Sequence, residues 1–318
     1  MNHKNLISVS DFSLQEIVNI LKSAFKMKYG KKKITSLLEG KTLAMIFQKP
    51  STRTRVSFEV AMFQLGGHAI FLSGQELQLK RGETVADTSR TLSRYVDAVM
   101  IRANRHQDIV EFAKYSSVPV INGLSDLEHP CQVLGDVFTI LEKKLEIKPS
   151  VPEKLQIEKL KDLKVVFVGD GNNISNSLML LCSILGMNLV VCTPSGYEPD
   201  KNIYSKAIEI SKLTKAKIEL SNDPQTAVVD ADFIYTDVWT SMGKEEERER
   251  RKQVFRTYQI NKELLQKTNK DTKILHCLPA VRGEEVTDEV IDGPQSIVFD
   301  QAENRLHIQK AILLYLMK

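Results

Sequence analysis

Short apolar stretches alternate with longer amphipathic stretches along the whole chain. The short stretches are typical of strands buried on both faces of a parallel sheet, and the longer ones place apolar residues at helical spacing. This alternation predicts an α/β fold in which parallel sheets are flanked by helices. The predicted strands are 42–47, 68–72, 97–102 and 118–122 in the first half, and 164–169, 188–193, 217–220, 232–237, 273–278 and 296–299 in the second.

The length of the chain predicts two domains. A single hydrophobic core usually stops growing at about 250–300 residues, and this chain has 318. A helical pattern over 130–145 leads into a stretch rich in Lys, Pro and Glu at 143–156, where we place the boundary. We therefore expect domains at 1–145 and 146–302, joined by long interdomain helices, with an amphipathic helix at 303–318 packing back on the first domain.

Composition and charge exclude several classes of protein. A hydrophobic fraction of 42% and a charged fraction of 26% are those of an ordinary globular protein. The net charge is only +4, and no basic block is interleaved with aromatic residues, which argues against nucleic-acid binding. The charges of 243–253 mix signs at helical spacing and predict a solvated helix.

Cysteine spacing and hydropathy indicate the cellular compartment of the protein. The four cysteines have no disulfide-framework spacing, and the first residues lack the apolar stretch of a signal peptide. No apolar run approaches the length needed to cross a bilayer. The sequence therefore predicts a cytoplasmic protein that does not bind membranes.

The first predicted strand is followed by the sequence KPSTRTR, residues 49–55. Ser51 or Thr52 is a natural N-cap for the helix that follows. This places Arg53 and Arg55 at the positive end of the helix dipole, where Asp or Glu is usual. Hydroxyl groups, guanidinium groups and unpaired backbone N–H groups at a helix start bind phosphate, so we interpret this stretch as a phosphate site. The alternative is a capped helix whose arginines are merely solvated.

Other polar residues also follow predicted strands. Ligands of open α/β sheets bind beyond the carboxyl ends of the strands, so these residues are candidates for one site. His129 precedes Pro130 at the start of a helix, where it acts either as a cap or as a donor to a carbonyl or phosphoryl oxygen. Gln132 can offer both an acceptor and a donor to an amide. The remaining candidates are Arg102, Asp170 to Asn173, Asp237, Cys277 and Arg305.

The segment with Gly169 and Gly171 is similar to a dinucleotide-binding fingerprint, but it lacks the third glycine and the acidic residue after the next strand. A nucleotide-dependent oxidoreductase is therefore disfavoured. The asparagines at 172–173 could instead bind a carboxylate or amide at a helix start, or simply form a turn.

A metal site is not expected. The pairs His129 with Cys131 and His276 with Cys277 lack the usual ligand spacing, and no cofactor is predicted. Cys277 is either a small buried residue or a contact for a substrate amine, and both alternatives stay open.

Five motifs together resemble one family. KPSTRTR, HPCQ at 129–132, GDGNN at 169–173, DVWTSMG at 237–243 and HCLP at 276–279 occur in the order and separation found in ornithine carbamoyltransferases of the aspartate/ornithine carbamoyltransferase family. The resemblance covers essentially the whole chain. The aspartate-specific members share STRTR but have HPLP in place of HCLP and lack DVWTSMG, which points to a basic amino acid as acceptor.

The resemblance implies a reaction. A carbamoyl group would pass from carbamoyl phosphate to the δ-amine of L-ornithine through a tetrahedral intermediate, giving L-citrulline and phosphate without metal or organic cofactor. Transfer to putrescine or another modified amine is the alternative within this class. A binding protein that retains the phosphate site without catalysis is an alternative outside it.

The resemblance also implies the site residues. Arg102 and His129, with Thr54, would stabilise the oxyanion, and Cys277 would orient the amine. Gln78 would reach into a neighbouring subunit's site, which implies a homotrimer, although its loop at 73–84 could be an ordinary surface excursion. The implied carbamoyl phosphate residues are Ser51, Thr52, Arg53, Thr54, Gln78, Arg102, His129, Gln132, Cys277, Leu278 and Arg305, and the implied ornithine residues are Asn173, Asp237, Ser241 and Met242.

Within the ornithine set, the resemblance gives each charged end of the substrate a partner. Asp237 would pair with the α-ammonium group, and Asn173 would hydrogen-bond the α-carboxylate. The alternative for Asp237 is a loop cap at the end of its strand.

Overall fold

A computed structural model describes residues 4–30, 36–77, 82–145, 155–240 and 245–318. It contains one parallel sheet of four strands and one of five, and both are flanked by helices. The predicted α/β class is confirmed. The chain forms two compact units, unit 1 with Met1–Phe138, Leu145–Leu155 and Glu303–Lys318, and unit 2 with Thr139–Lys144 and Gln156–Ala302.

The elements of the first half include the four-stranded sheet, whose order is β2-β1-β3-β4. Its strands are β1 (Thr42–Phe47), β2 (His68–Ser73), β3 (Ala98–Arg102) and β4 (Val120–Leu124). The helices are α1 (Leu14–Tyr29), α2 (Thr52–Gln64), α3 (Val85–Leu92), α4 (His106–Tyr115) and α5 (Pro130–Lys144), with a 3-10 turn at Val9–Asp11.

The central strands of this sheet are apolar because helices cover them. Five of the six residues of β1 are buried, and one core cluster joins Ile46 of β1, Val99 of β3 and Phe112 of α4. Helix α2 ends just before Gly66, which has φ +83. A Cβ added there would lie 2.7 Å from the Ser36 Cα atom, so only glycine fits this turn.

The elements of the second half include the five-stranded sheet, whose order is β7-β6-β5-β8-β9. Its strands are β5 (Lys164–Val168), β6 (Asn188–Cys192), β7 (Ile218–Ser221), β8 (Phe233–Thr236) and β9 (Lys273–His276). The helices are α6 (Asn173–Leu185), α7 (Lys201–Thr214), α8 (Pro224–Ala227), α9 (Arg248–Phe255), α10 (Lys262–Leu265), α11 (Asp288–Ile291) and α12 (Val298–Met317), with 3-10 turns at Ile157–Leu160, Glu245–Glu247 and Arg256–Tyr258.

Nine predicted strands are confirmed within a few residues, but the tenth, at 296–299, is wrong. Only Ser296 forms a bridge, to Ile274. The Gln301 N–H then donates to the Ile297 carbonyl at 2.9 Å, because helix α12 has already begun at Val298. A short apolar run does not by itself distinguish a buried strand from the start of a buried helix.

The charged segment after residue 244 is also less solvated than predicted. Helix α9 forms as expected, but Arg251 on this helix is only 3% exposed. Among the described residues, no helix is both long and apolar enough to span a bilayer.

Candidate active site

In unit 1, the carboxyl ends of β1, β3 and β4 lie side by side because these strands are parallel neighbours. Phe47 at the end of β1 is in register with Arg102, and Arg102 is in register with Leu124. Beyond the strands, the Gln48 N–H donates to the Arg102 carbonyl and the Ala103 N–H donates to the Leu124 carbonyl, each at 2.9 Å. Arg102 is therefore fixed at the edge where ligands of such sheets bind.

Helix α2 begins at this same edge, directly after β1. Its N-cap is Ser51, one of the two predicted candidates, and the Ser51 side-chain oxygen accepts the Thr54 N–H at 3.2 Å. The first intrahelical backbone bond runs from the Arg55 N–H to the Ser51 carbonyl. The N–H groups of Thr52 and Arg53 precede that bond, so they are available to an anion at the positive end of the helix dipole.

The two arginines of KPSTRTR differ in their surroundings. Arg55 is exposed, forms an ion pair with Glu59 at 3.0 Å and stacks over the ring of Phe71 at 3.8 Å. Arg53 is partly buried, and its guanidinium makes no hydrogen bond or ion pair with any residue that the structure describes. Arg53 is therefore the one of the pair that is suited to binding phosphate.

Arg305 connects α12 to two other helices of unit 1. Its side chain is 4% exposed, donates from Nη1 to Gln132 Oε1 at 2.5 Å, and donates from Nη2 to Thr54 Oγ1 at 3.0 Å. Thr54 is on α2 and Gln132 is on α5. The structure thus brings together three of the predicted carbamoyl phosphate residues.

His129 is buried at the start of α5. Its carbonyl accepts the Gln132 N–H at 3.0 Å, so the residue caps the helix, and its ring is near two of the cationic groups. Burial, followed by the charges of Arg305 and Arg102, holds the pKa of the imidazole well below its usual value. The ring is therefore neutral at pH 7 and carries one N–H donor suited to a carbonyl oxygen.

One residue of this network was missed from the sequence. Asp136, fully buried on α5, accepts a hydrogen bond from Gln132 Nε2 at 2.8 Å. Asp136 occupies one of the two N–H donors of the Gln132 amide, so the interpretation that Gln132 offers both a donor and an acceptor to a ligand stays a prediction. The i,i+4 spacing on a predicted helix was the signal that could have identified this pair.

In unit 2, the carboxyl ends of β5, β8 and β9 are also adjacent. Val168 is in register with Thr236, and Thr236 is in register with His276. The residues that follow these three strands include Asp237 and Cys277, which therefore lie at one edge of the sheet.

Asp237 is the centre of this second group. It is buried, and its carboxylate accepts hydrogen bonds from Asn172 Nδ2 at 2.7 Å, from Cys277 Sγ at 2.9 Å and from the Val238 N–H at 2.9 Å. The bond to its neighbour Val238 is a local cap, and the other two come from distant segments. The carboxylate is therefore held in place by groups of all three strand ends.

Asn172 is the N-cap of α6, and its Oδ1 accepts the Ile174 N–H at 2.9 Å. Asn173 is the first residue of that helix and is partly buried. Gly171 lies so close to another segment that an added Cβ would be 2.3 Å from the Glu198 carbonyl carbon. That contact explains the second glycine of GDGNN without a nucleotide.

The HCLP segment is shaped by His276, whose side chain is fully buried. The Leu278 N–H donates to His276 Nδ1 at 2.8 Å, so the ring proton is on Nε2, which donates to Glu285 at 3.0 Å. Leu278 has φ +57, where the chain turns away from the strand. Cys277 is partly buried and faces Asp237, so it is not an ordinary core residue.

The donor atoms of Asp237, His276 and Cys277 lie within 4.8 Å of one another, a spacing that a metal ion could use. Both nitrogens of His276 and the thiol of Cys277 are, however, engaged in the hydrogen bonds described above. The expectation that the protein uses no metal stays a prediction.

A buried ion pair lies beside this group. Arg251 forms an ion pair with Asp170 at 2.9 Å, donates to the Trp239 carbonyl at 2.8 Å and lies over the ring of Tyr197 at 4.8 Å. It therefore links α9 to the GDGNN and DVWTSMG segments. The alternating charges around Arg251 gave no sequence signal for this contact.

Both halves of the chain match one protein family. The carbamoyl-P binding domain of aspartate/ornithine carbamoyltransferases matches residues 4–142, and the Asp/Orn binding domain matches residues 161–316. The chain belongs to the aspartate/ornithine carbamoyltransferase family.

Relatives within this family match along nearly the whole chain. An ornithine carbamoyltransferase from Pyrococcus horikoshii is 55% identical over 99% of this chain and 96% of its own length. An anabolic ornithine carbamoyltransferase from Pyrococcus furiosus is also 55% identical, with the same coverage. The solved structure of the ornithine carbamoyltransferase from Pyrococcus furiosus has a TM-score of 0.91 and covers 99% of this chain and 97% of that one. The resemblance that the five motifs predicted is confirmed.

Three predicted site residues of this carbamoyltransferase-family protein, Gln78, Ser241 and Met242, lie outside the described residues, and their roles stay predictions. Cys277 and Leu278, which were predicted to contact carbamoyl phosphate, belong to unit 2.

Proposed function

We propose that this protein transfers the carbamoyl group of carbamoyl phosphate to the δ-amine of L-ornithine, giving L-citrulline and phosphate. The observation that carries the proposal is the contact of Arg305 with Thr54 and Gln132. That cluster is the buried cationic and polar group expected for carbamoyl phosphate, in a chain that is 55% identical to ornithine carbamoyltransferases. The predicted domains 1–145 and 146–302 would bind carbamoyl phosphate and ornithine, respectively.

The phosphate of the first substrate would bind at the start of α2. Ser51, Thr52 and Thr54 supply hydroxyl and backbone donors there, and the helix dipole favours an anion. Arg53 and Arg305 would neutralise the dianion, which becomes the leaving group. Guanidinium forks suit this task because they bind phosphate oxygens with two parallel hydrogen bonds.

The carbonyl of carbamoyl phosphate would be polarised by Arg102, His129 and Thr54. The δ-nitrogen lone pair of ornithine forms a bond to the carbonyl carbon, and the carbonyl oxygen becomes an oxyanion that these donors stabilise. Collapse of the tetrahedral intermediate breaks the carbon–oxygen bond to phosphate, and the proton of the nitrogen passes to the departing phosphate. Because His129 is neutral, it can donate a hydrogen bond at the pH of the reaction without transferring a proton.

The second substrate would bind around Asp237. Its carboxylate pairs with the α-ammonium group, Asn173 hydrogen-bonds the α-carboxylate, and Ser241 and Met242 complete the predicted contacts. Asn172 supports this arrangement because its amide holds the Asp237 carboxylate at 2.7 Å. Cys277, whose sulfur donates to the other oxygen of Asp237, would orient the δ-amine.

A citrulline assay with a panel of amines tests the function. We expect citrulline from carbamoyl phosphate and L-ornithine, and no comparable product from putrescine or L-lysine. Activity should survive dialysis against a metal chelator, since no metal takes part in the proposed steps. Preferred carbamoylation of putrescine, or saturable binding of carbamoyl phosphate without product, would contradict the proposal.

The active form would be a homotrimer whose subunits share sites through Gln78. Support comes from an exposed apolar face of α2, where Val56 and Phe63 lie on the same side and Phe63 is 81% exposed. Sedimentation analysis measures the assembly. Mixing inactive Gln78→Ala and Arg102→Gln subunits should restore part of the activity if sites are shared, and no recovery in confirmed mixed trimers would contradict sharing.

We further propose a cytoplasmic enzyme of arginine biosynthesis. The four cysteines, all among the described residues, form no disulfide, which fits a reducing compartment. One relative at 55% identity is named anabolic. Growth of an arginine auxotroph that lacks its own ornithine carbamoyltransferase, when it expresses this chain, tests the biosynthetic role.

A further inference from the structure

We propose that Asp136 is a positioning residue that fixes the amide of Gln132, and that this makes the site select a carbamoyl group over an acetyl group. The inference rests on the proposed function, because it takes carbamoyl phosphate as the ligand of unit 1. It starts from a buried chain of contacts that joins Asp136, Gln132, Arg305 and Thr54.

The partners of Gln132 determine which way its amide points. A carboxylate only accepts hydrogen bonds and a guanidinium only donates them. Gln132 Nε2 therefore has to face Asp136 Oδ1, at 2.8 Å, and Gln132 Oε1 has to face Arg305 Nη1, at 2.5 Å. With 1% or less of Gln132 and Asp136 exposed, water does not compete for either contact.

The fixed orientation decides what Gln132 offers a ligand. One N–H of its Nε2 is used by Asp136, and the amide oxygen has a second lone pair beyond the one that Arg305 uses. A carbamoyl group presents an NH2 that can donate to this oxygen. An acetyl group has a methyl of nearly the same size in that place and cannot donate.

Discrimination follows from the cost of an unpaired buried acceptor. A site built to hydrogen-bond a substrate N–H rejects the analogue that lacks it, because the buried partner is then left unsatisfied. If Asp136 did not hold Nε2, the amide would be held only through Arg305, and the acceptor would be fixed less rigidly. Asp136 therefore acts on specificity through Gln132 and needs no contact with the ligand.

Two variants separate this role from a general loss of structure. Asp136→Leu keeps the branched shape of the side chain without an acceptor, and Asp136→Asn keeps an acceptor without the charge. Calorimetric titration of the whole protein with carbamoyl phosphate, acetyl phosphate and inorganic phosphate gives three dissociation constants for each variant. Asp97→Asn is the matched control, since Asp97 accepts from Lys41 Nζ and the Thr42 N–H, both at 2.8 Å, at the opposite ends of the strands.

We expect Asp136→Leu to raise the dissociation constant of carbamoyl phosphate about tenfold or more, because a hydrogen bond to a charged group is lost. The dissociation constant for Asp136→Asn should lie between those of Asp136→Leu and the wild type. The dissociation constants of acetyl phosphate and inorganic phosphate should change by less than about twofold or decrease. Arg53 and Arg305 remain in these variants, and a nearby negative charge is gone. The Asp97→Asn protein should keep the wild-type ratios.

An unchanged preference for carbamoyl over acetyl phosphate in both Asp136 variants overturns the inference. Equal weakening of all three ligands also overturns it, because that result indicates a structural role. If Asp136→Leu does not fold, the ratio of the dissociation constants of acetyl and carbamoyl phosphate in Asp136→Asn tests the inference instead. If the wild-type protein makes citrulline but the variants keep its preference for carbamoyl over acetyl phosphate, only this inference is refuted. If the wild-type protein binds no carbamoyl phosphate, the proposed function is refuted as well.

Discussion

Replacing Arg305 by Lys and by Met provides the most direct test of the phosphate end of the site. The guanidinium makes two buried hydrogen bonds, to Gln132 and to Thr54, which are on different helices. Lysine keeps the charge but has a single nitrogen, so it can replace one of these contacts well and not both. Methionine has a similar length and keeps neither.

The two contacts give the size of the effect. A hydrogen bond from a charged donor contributes about 1.5–3 kcal/mol, so the loss of one in Arg305→Lys should lower kcat/KM for carbamoyl phosphate about 10-fold to 150-fold. Arg305→Met also removes the charge beside the leaving phosphate. Losing such a preorganised group costs about 3–4 kcal/mol of barrier, so the Met variant should be the weaker of the two.

Two measurements check this reasoning. The citrulline assay gives kcat/KM, and NMR titration of the imidazole follows His129, whose pKa is lowered first by burial and then by the charge of Arg305. The His129 pKa should rise in Arg305→Met, because a neighbouring positive charge no longer opposes protonation. Lys310→Met is the matched control on the same helix, where Lys310 Nζ donates to Gln64 at 2.9 Å.

A kcat/KM of Arg305→Met within about fivefold of the wild type, the effect expected of a solvent-exposed arginine, would refute a role of Arg305 in binding the phosphate. An unchanged His129 pKa in that variant would show that the two side chains are not close in solution. Lys310→Met should leave both quantities unchanged.

Four further predictions concern other parts of the molecule and the pH dependence of the reaction. Arg102→Gln should fold normally by circular dichroism and lose at least about a hundredfold in turnover, since it removes an oxyanion donor, and near-normal kinetics would remove Arg102 from the mechanism. Activity should rise with pH well above 7, because the attacking amine has a lysine-like pKa of about 10.4. Cys277→Ala should alter this profile or the KM for ornithine, and a variant with both unchanged would exclude Cys277 from orienting the amine. Burial, together with the charge of Lys310, lowers the pKa of His307 from 6.5 to about 4. The unfolded chain therefore binds a proton that the folded one does not, so the free energy of unfolding should fall as pH decreases from about 6.5 to about 4. In His307→Gln the free energy of unfolding should depend less on pH over this range. Urea unfolding at several pH values measures this dependence, and a dependence equal to that of the wild type would contradict the role given to His307.

Much of the fold was determined by local pattern. Strand β1 could be predicted from TLAMIF because a run of apolar residues with no polar face needs burial on both sides, which a helix-covered parallel sheet provides. Capping chemistry alone predicted that α2 starts at Ser51 or Thr52, and Ser51 is the N-cap. Parallel strands also place their carboxyl ends at one edge, so the sequence by itself assigned Arg102, Asp237 and Cys277 to the edges of sheets.

Contacts between distant segments could not be obtained in this way. Arg305 reaches Thr54 across 251 residues of chain, and Arg251 enters a buried ion pair although its neighbours in sequence are solvated charges. Periodicity reports how one segment is buried, but not which side chain of another segment meets it. The stacking of Arg55 over Phe71 and the capture of the Gln132 amide by Asp136 were therefore decided only by tertiary structure, because each depends on the geometry of packed side chains.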